Sequence, residues 1–167
     1  MSAPAEQRDS VEDLLYGYIA AADDGDADRV SQVLAHARVD FAGQHAAGAA
    51  EVRAMFANTF RGGTRVRHLL SNVRIRIHQD GPRPTADFSA TYIRWGARAV
   101  DGPLGLGEYT ARLEQADDGW RITRFVIRRL WSRDPASAIP DQRPINAPPH
   151  HTGTSVTTRS DDNGSTP

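Results

Sequence analysis

The stretch Thr64-Arg-Val-Arg-His-Leu-Leu-Ser-Asn-Val-Arg-Ile-Arg-Ile77 decides how this chain is read. From Arg67 to His78 it alternates, with Val73, Ile75 and Ile77 on one face and Arg74, Arg76 and His78 on the other. A period of two is that of a half-buried strand. The strand follows the break Arg61-Gly62-Gly63 and runs into the turn Asp80-Gly81-Pro82. Three more segments of the same kind come after it: Thr85–Trp95, Leu104–Gln115 and Trp120–Trp131, the last two joined by the hairpin signal Asp117-Asp118-Gly119.

Upstream the period changes. Residues 1–9 are polar and expected to be frayed. Ser10 suits an N-cap, and Val11, Leu14, Leu15, Tyr18, Ile19 and Ala22 then line one face of a helix that Gly25 stops. Asp26 can cap a second helix from about Ala27 to His36, with Val30, Val33 and Leu34 facing inward. Val39–Ala42 reads as a short strand, and Gly48–Phe60 as a third helix with Val52, Met55, Phe56 and Phe60 apolar. Three helices followed by four long antiparallel strands predict an α+β domain over residues 10–133. Residues 134–167 carry almost no large apolar side chain, so they cannot offset the entropy of ordering and are expected to be a disordered tail. The pair His150-His151 within it reads as solvated tail rather than as a metal site.

Composition narrows the chemistry. At 167 residues and 39% apolar content the chain suits one domain with a tail. No apolar run reaches the length of a membrane span, and the first ten residues have no apolar segment of the kind a secretion signal needs, so the expectation is a cytoplasmic protein. There is no cysteine, which excludes disulfides, thiolate nucleophiles and Cys-bound zinc. There is no lysine either; all twenty cationic side chains are arginine, which excludes Schiff-base chemistry and a phosphate-binding P-loop. The net charge of −1 argues against general nucleic-acid binding. The arginines Arg74, Arg76, Arg121, Arg124, Arg128 and Arg129 are read as a solvated or dimer-forming outer face. No dinucleotide fingerprint, nucleophile elbow, zinc-binding helix or two-His/one-carboxylate cluster is present, so neither cofactor nor metal is inferred.

One histidine, His68, stands at the start of the long strand, and the first helix ends in the acidic corner Asp23-Asp24-Gly25-Asp26. Imidazole is the side chain best suited to accept and return a proton near neutral pH, and a carboxylate on its second nitrogen fixes the tautomer. Asp23 with His68 is therefore the candidate acid–base pair, set against a core histidine satisfied by a carbonyl and a solvated corner carboxylate. Parity complicates this: His68 shares it with Leu70 and Asn72 and opposes Val73, Ile75 and Ile77. Either both faces are covered at this end or a bulge near Ser71-Asn72 changes the side, and coverage is the reading favoured because Leu70 accompanies the histidine.

Four fragments in order resemble the SnoaL-like proteins of the nuclear-transport-factor-2-like superfamily. They are Tyr18-Ile-Ala-Ala-Ala-Asp-Asp-Gly-Asp-Ala-Asp-Arg-Val30, Val39-Asp-Phe41, Thr64-Arg-Val-Arg-His-Leu-Leu-Ser-Asn-Val73 and Asp118-Gly-Trp-Arg-Ile-Thr-Arg-Phe-Val-Ile-Arg-Arg-Leu-Trp131. The resemblance covers roughly residues 10–133 and implies a cone-shaped, curved antiparallel sheet wrapped by three helices around an apolar pocket. It implies a cyclase, dehydratase, isomerase or epoxide hydrolase, or a member without catalysis, since fold alone does not fix function. Within the superfamily the pattern looks most like the scytalone-dehydratase branch, in which an Asp after the first helix orients a His at the start of the long strand; these match Asp23 and His68. That branch carries a second histidine on a later strand, where this chain reads Gly105-Leu-Gly-Glu-Tyr-Thr110, with Glu108 or Tyr109 as stand-ins.

The expected chemistry is cofactor-free proton shuttling on a small carbonyl-bearing, polyketide-like metabolite. His68 would move the proton, Asp23 would orient it, and Tyr18 or Asn72 would steady an enolate-like oxygen. Tyr16, Tyr92 and Tyr109 are further phenol donors. Trp95, Phe56, Phe60, Phe88 and Trp131 are candidates for an aromatic wall, with core packing as the alternative. The competing reading is a pocketed binding or assembly module without turnover. Water addition to an epoxide would need further polar groups, for which Asp87 and Asn58 are the candidates. A homodimer through the sheet face is expected, with neither nucleic acid nor membrane as partner.

Overall fold

The computed structural model describes residues 4–62, 65–96, 98 and 102–133. The tail, with His150 and His151, lies outside the described residues. Three helices, α1 (Pro4–Asp24), α2 (Ala27–Val33) and α3 (Gly48–Phe60), accompany six strands: β1 (Arg38–Phe41), β2 (Gln44–Ala47), β3 (Val66–His78), β4 (Thr85–Gly96), β5 (Pro103–Ala116) and β6 (Gly119–Ser132). The strands form one unclosed sheet in the order β2-β1-β6-β5-β4-β3, so β3 is an edge. Neighbours are antiparallel except β1 and β6, which run parallel, so the sheet is mixed. The α+β class and the four long strands are as the alternation predicts.

Helix α1 starts six residues before the expected Ser10. Its first residue is proline, whose missing N–H is no loss at a helix start. Tertiary contacts then hold the first turns: Gln7 is buried and accepts a hydrogen bond from Gln79, and Arg8 reaches the Ile75 carbonyl. Ser10 is inside the helix, where its hydroxyl donates back to the Glu6 carbonyl at 2.9 Å rather than capping. Gly25, at φ +69°, ends α1 as expected, and the Asp26 side chain caps α2 by accepting from the Arg29 amide. Helix α2 stops at Val33, short of His36.

Strand β2 is absent from the sequence reading. It pairs back on β1 through Ala42 and Gly43, both at positive φ, a geometry that matches the twist of a two-residue hairpin. Alanine rarely adopts that conformation, which is why Phe41-Ala-Gly-Gln44 carried no turn signal.

The parity conflict at His68 resolves through a bulge, and the favoured explanation, coverage of both faces, does not hold. Ser71 pairs with Thr91 and Arg74 with Ser89, so three steps on β3 match two on β4. The extra residue sits at Asn72, at φ +53° and exposed. On either side of it, His68 and Leu70 pair with Arg94 and Tyr92, while Ile75 and Ile77 pair with Phe88 and Ala86. All of these belong to one inner face, which also carries Tyr109, Ala111 and Leu113 of β5 and Ile122, Phe125 and Ile127 of β6. Val11, Leu15, Tyr18 and Ile19 of α1 join the core formed with this face, together with Val52, Met55 and Phe56 of α3.

Candidate active site

Asp23 lies at the end of α1, one residue before Asp24 and two before the Gly25 turn. Its Oδ1 is 2.7 Å from His68 Nδ1. The same carboxylate accepts the His68 backbone amide, at 3.0 Å to Oδ1 and 3.3 Å to Oδ2. Both side chains are largely buried, with 10% and 12% of their surface exposed. A carboxylate can only accept, so Nδ1 carries the proton and Nε2 is the nitrogen left to take one up. The other two acids of the corner have different duties: Asp26 caps α2, and Asp24 is exposed beside Arg29 and Arg67.

The imidazole meets the edge of Tyr92 at 5.6 Å between ring centroids and lies 6.2 Å from Tyr109. Tyr92 stacks on Tyr109 at 4.3 Å, Tyr109 on Phe125 at 5.6 Å, and Tyr18 crosses Phe125 at 4.6 Å. The Tyr18 and Tyr109 hydroxyls interact with one another. Burial pushes the ionisation of both far above the ordinary phenol value, and the nearby Asp23 charge adds to it. Tyr92 is raised by burial too, against the opposing pull of Arg129 and Arg94. All three phenols are therefore neutral, and Tyr92 and Tyr109 lie beside the imidazole. Gly107 makes the arrangement possible, because a Cβ there would stand 2.5 Å from the Tyr92 ring and hydroxyl.

The sequence matches the SnoaL-like domain over residues 3–126. The chain belongs to the SnoaL-like family. No curated protein matches it in sequence. Among solved structures, a protein of unknown function from Mycobacterium tuberculosis is 22% identical, covers 82% of each chain and superposes with a TM-score of 0.65. A Novosphingobium aromaticivorans protein provisionally named an aromatic ring hydroxylase is 26% identical over 78% of this chain and 93% of its own, with a TM-score of 0.63. A Streptomyces avermitilis protein provisionally named a dehydratase of the nuclear-transport-factor-2-like family is 16% identical over 78% and 100%, also at 0.63.

In this SnoaL-like domain Asp23, His68, Tyr18, Tyr92 and Tyr109 converge. Phe56 is buried and lies edge-on to Tyr18 at 6.1 Å, while Phe41 stacks on it at 6.0 Å, so it is wall and core at once. Phe60 packs behind Phe56, and Phe88 is buried in the core opposite Ile75. Other expected site residues lie elsewhere. Asn72 is exposed in the bulge, its amide 3.5 Å from the Thr91 hydroxyl. Glu108, the possible stand-in for a second histidine, has outer-face parity and faces Arg128 at 3.4 Å. Trp95 has that parity too, opposite Arg67, and Trp131 and Tyr16 are exposed. Asp87 pairs with His78 on the outer face and Asn58 is exposed, so neither epoxide-hydrolase candidate joins His68.

The outer face bears an open groove of about 700 Å³ lined by Arg74, Arg76, Arg112, Arg124 and Asp87, remote from the Asp23–His68 pair. Arg129 departs from the outer-face reading of the arginines: it pairs with Gly107 on the inner face and lies 5.5 Å over the Phe41 ring. Register shifts in β6 turn it inward while Arg128 stays outside. Arg94, directly opposite His68, was also missed. The signal available for both was the Gly105-x-Gly107 pair, since glycine inside a strand marks close approach by a neighbour.

Among the described residues no group of three His, Cys, Asp or Glu side chains gathers to hold a metal ion, and no helix is long and apolar enough to cross a membrane.

Proposed function

We propose that this SnoaL-like domain is a cofactor-independent acid–base enzyme for a small carbonyl-bearing, polyketide-like metabolite of bacterial secondary metabolism. The observation that carries the reading is the 2.7 Å contact between Asp23 and His68 Nδ1, with neutral phenols on the far side of the ring. His68 Nε2 takes a proton from the carbon next to the substrate carbonyl, and the C–H electron pair moves into an enolate. Tyr92 donates to the enolate oxygen, while Asp23 stabilises the imidazolium through Nδ1–H. The proton then returns to another carbon, or to a hydroxyl that leaves as water. Isomerisation, dehydration and cyclisation share this shuttle and differ in where the proton goes. The dehydratase naming of the Streptomyces avermitilis neighbour supports this class.

The test is solvent-deuterium exchange at the α-carbons of 2-tetralone, followed by NMR with wild type, His68→Gln and Asp23→Asn. Catalysed exchange lost in both variants is the expected result. Exchange no faster than buffer with wild type would overturn the acid–base reading. The alternative is then a binding module of the same fold. It is favoured by one observation: the Glu108 side chain faces Arg128 on the outer face, so among the described strand residues of the inner face His68 is the one imidazole.

The same reading takes the outer sheet face as the seat of a second copy. Leu69, Ile93, Leu106 and Trp131 pair in register as one cross-strand row there, and Leu69 and Trp131 are 54% and 47% exposed. A row of four large apolar side chains can pair with its own symmetry mate.

A further inference from the structure

The two glycines of β5 let the Tyr92 ring and the Arg94 stem lie across the inner face beside His68. In register, Tyr92 pairs with Gly107 and Gly107 with Arg129, while His68 pairs with Arg94 and Arg94 with Gly105. No side chain from β5 therefore stands between Tyr92 and Arg129, whose Cα atoms are two strand spacings apart, about 10 Å. A Cβ on Gly105 would lie 3.8 Å from Arg94 Nε, so the Arg94 stem runs along the space that the glycine leaves. Arg94 is the direct cross-strand neighbour of His68, with Cβ atoms about 5 Å apart for such a pair. Arg129 reaches over Phe41, whose ring stacks on Phe56. Both cations act on the Tyr92 phenol.

We infer that Arg94 and Arg129 form an anion subsite beside His68, and that the ligand of this site is an aromatic carboxylic acid. Its carboxylate lies at the two guanidinium groups and its ring beside Tyr92. A guanidinium offers a planar fork of donors that matches a carboxylate, and an arginine beside an aromatic wall selects for a flat anion. The two parts of the site then have separate tasks. The arginines hold the acid group, and the imidazole addresses a carbonyl elsewhere on the same ring system. This rests on the proposal that the inner face receives the substrate, but not on turnover.

Calorimetric titration with 2-naphthoate, and with 2-naphthamide as the uncharged isostere, tests it in wild type, Arg94→Gln, Arg129→Gln and the outer-face control Arg124→Gln. Wild type should bind naphthoate more tightly than naphthamide, and added salt should weaken naphthoate alone. Losing one charge-assisted contact should weaken naphthoate about tenfold or more in each inner-face variant, with the amide and the Arg124 control unchanged. If Arg94→Gln fails to fold, Arg129→Gln and the salt series still decide. Absence of naphthoate binding, equal affinity for acid and amide, or binding indifferent to both arginines would overturn the subsite. Naphthoate binding without 2-tetralone exchange removes only the catalytic reading; exchange with arginine-independent naphthoate binding removes only the subsite.

Discussion

The Asp23 carboxylate holds His68 twice, by its ring and by its own backbone amide. A side chain gripped in both places has little freedom in χ1, so the end of α1 sets both the position and the tautomer of the imidazole. Asp23→Asn should disturb the tautomer. An amide nitrogen donating to Nδ1 moves the proton to Nε2, the atom that must accept one. Nitrogen-15 correlation spectra should show Nδ1–H in wild type and a shift toward Nε2–H in the variant. Catalysed exchange should fall by roughly 10²- to 10⁴-fold, the range for misplaced general acid–base groups. An unchanged tautomer with unchanged activity would remove Asp23 from the mechanism.

Asn72 has a backbone role. It is the extra residue of a bulge at φ +53°, a conformation that asparagine and glycine tolerate. Asn72→Gly should leave stability and ligand binding close to wild type. Asn72→Val should cost about 1–2 kcal/mol, the penalty for a β-branched residue in that region. Chemical denaturation separates the two. A loss of ligand binding in Asn72→Gly, with stability intact, would restore Asn72 as a substrate contact.

Gly107→Ala should be costly at an otherwise permissive position. The added methyl meets the Arg128 carbonyl and the Tyr92 ring, and only the ring can move. Strain of about 1–3 kcal/mol is expected. In the tyrosine region of the near-ultraviolet circular dichroism spectrum, the Tyr92–Tyr109 signal should change. A variant as stable as wild type with an unchanged spectrum would contradict the close approach.

The buried phenols give the protein an alkaline limit. Tyr18, Tyr92 and Tyr109 ionise above their ordinary value in the folded chain, and unfolding returns them to about 10. Above that pH the unfolded state binds fewer protons than the folded one, so stability falls as pH rises. Below it these groups cause no pH dependence. Melting temperatures should decline from about pH 10 upward, and absorbance at 295 nm should show Tyr18 and Tyr109 titrating only with unfolding. Phenolate signals from all four tyrosines while the fold persists would refute this.

A second copy on the outer face predicts a dimer by light scattering that Leu69→Glu converts to monomer without loss of ligand binding. A wild type that is monomeric across the accessible concentration range would end that proposal.

How much of this was legible in the sequence follows from which physical signals are local. The alternation of Val73, Ile75 and Ile77, the cap at Asp26 and the stop at Gly25 are short-range, and the elements they predict form. The start of α1 was misread because Gln79 and Ile75, far away in sequence, hold its first turns. Tyr109 was legible as a phenol but not as the stacking partner of Tyr92, because their contact depends on β4–β5 register and on Gly107. Arg129 was assigned to the wrong face because a one-residue register shift exchanges inside for outside, whereas Glu108 faces out by simple alternation with Tyr109. Asp23 and His68 were legible as a candidate pair from their chemistry, a helix-end carboxylate and a strand-start imidazole, and the family pattern strengthened it; spacing alone does not bring together residues 45 positions apart.

The double grip on His68 also affects the solution behaviour of the molecule. Strand β3 is the last of the sheet, and the amide of His68 would otherwise be open to a strand from a neighbouring molecule. Asp23 occupies that donor. The carboxylate that orients the imidazole thus also covers one donor of an edge strand, and variants of Asp23 should be watched for precipitation before their inactivity is credited to chemistry.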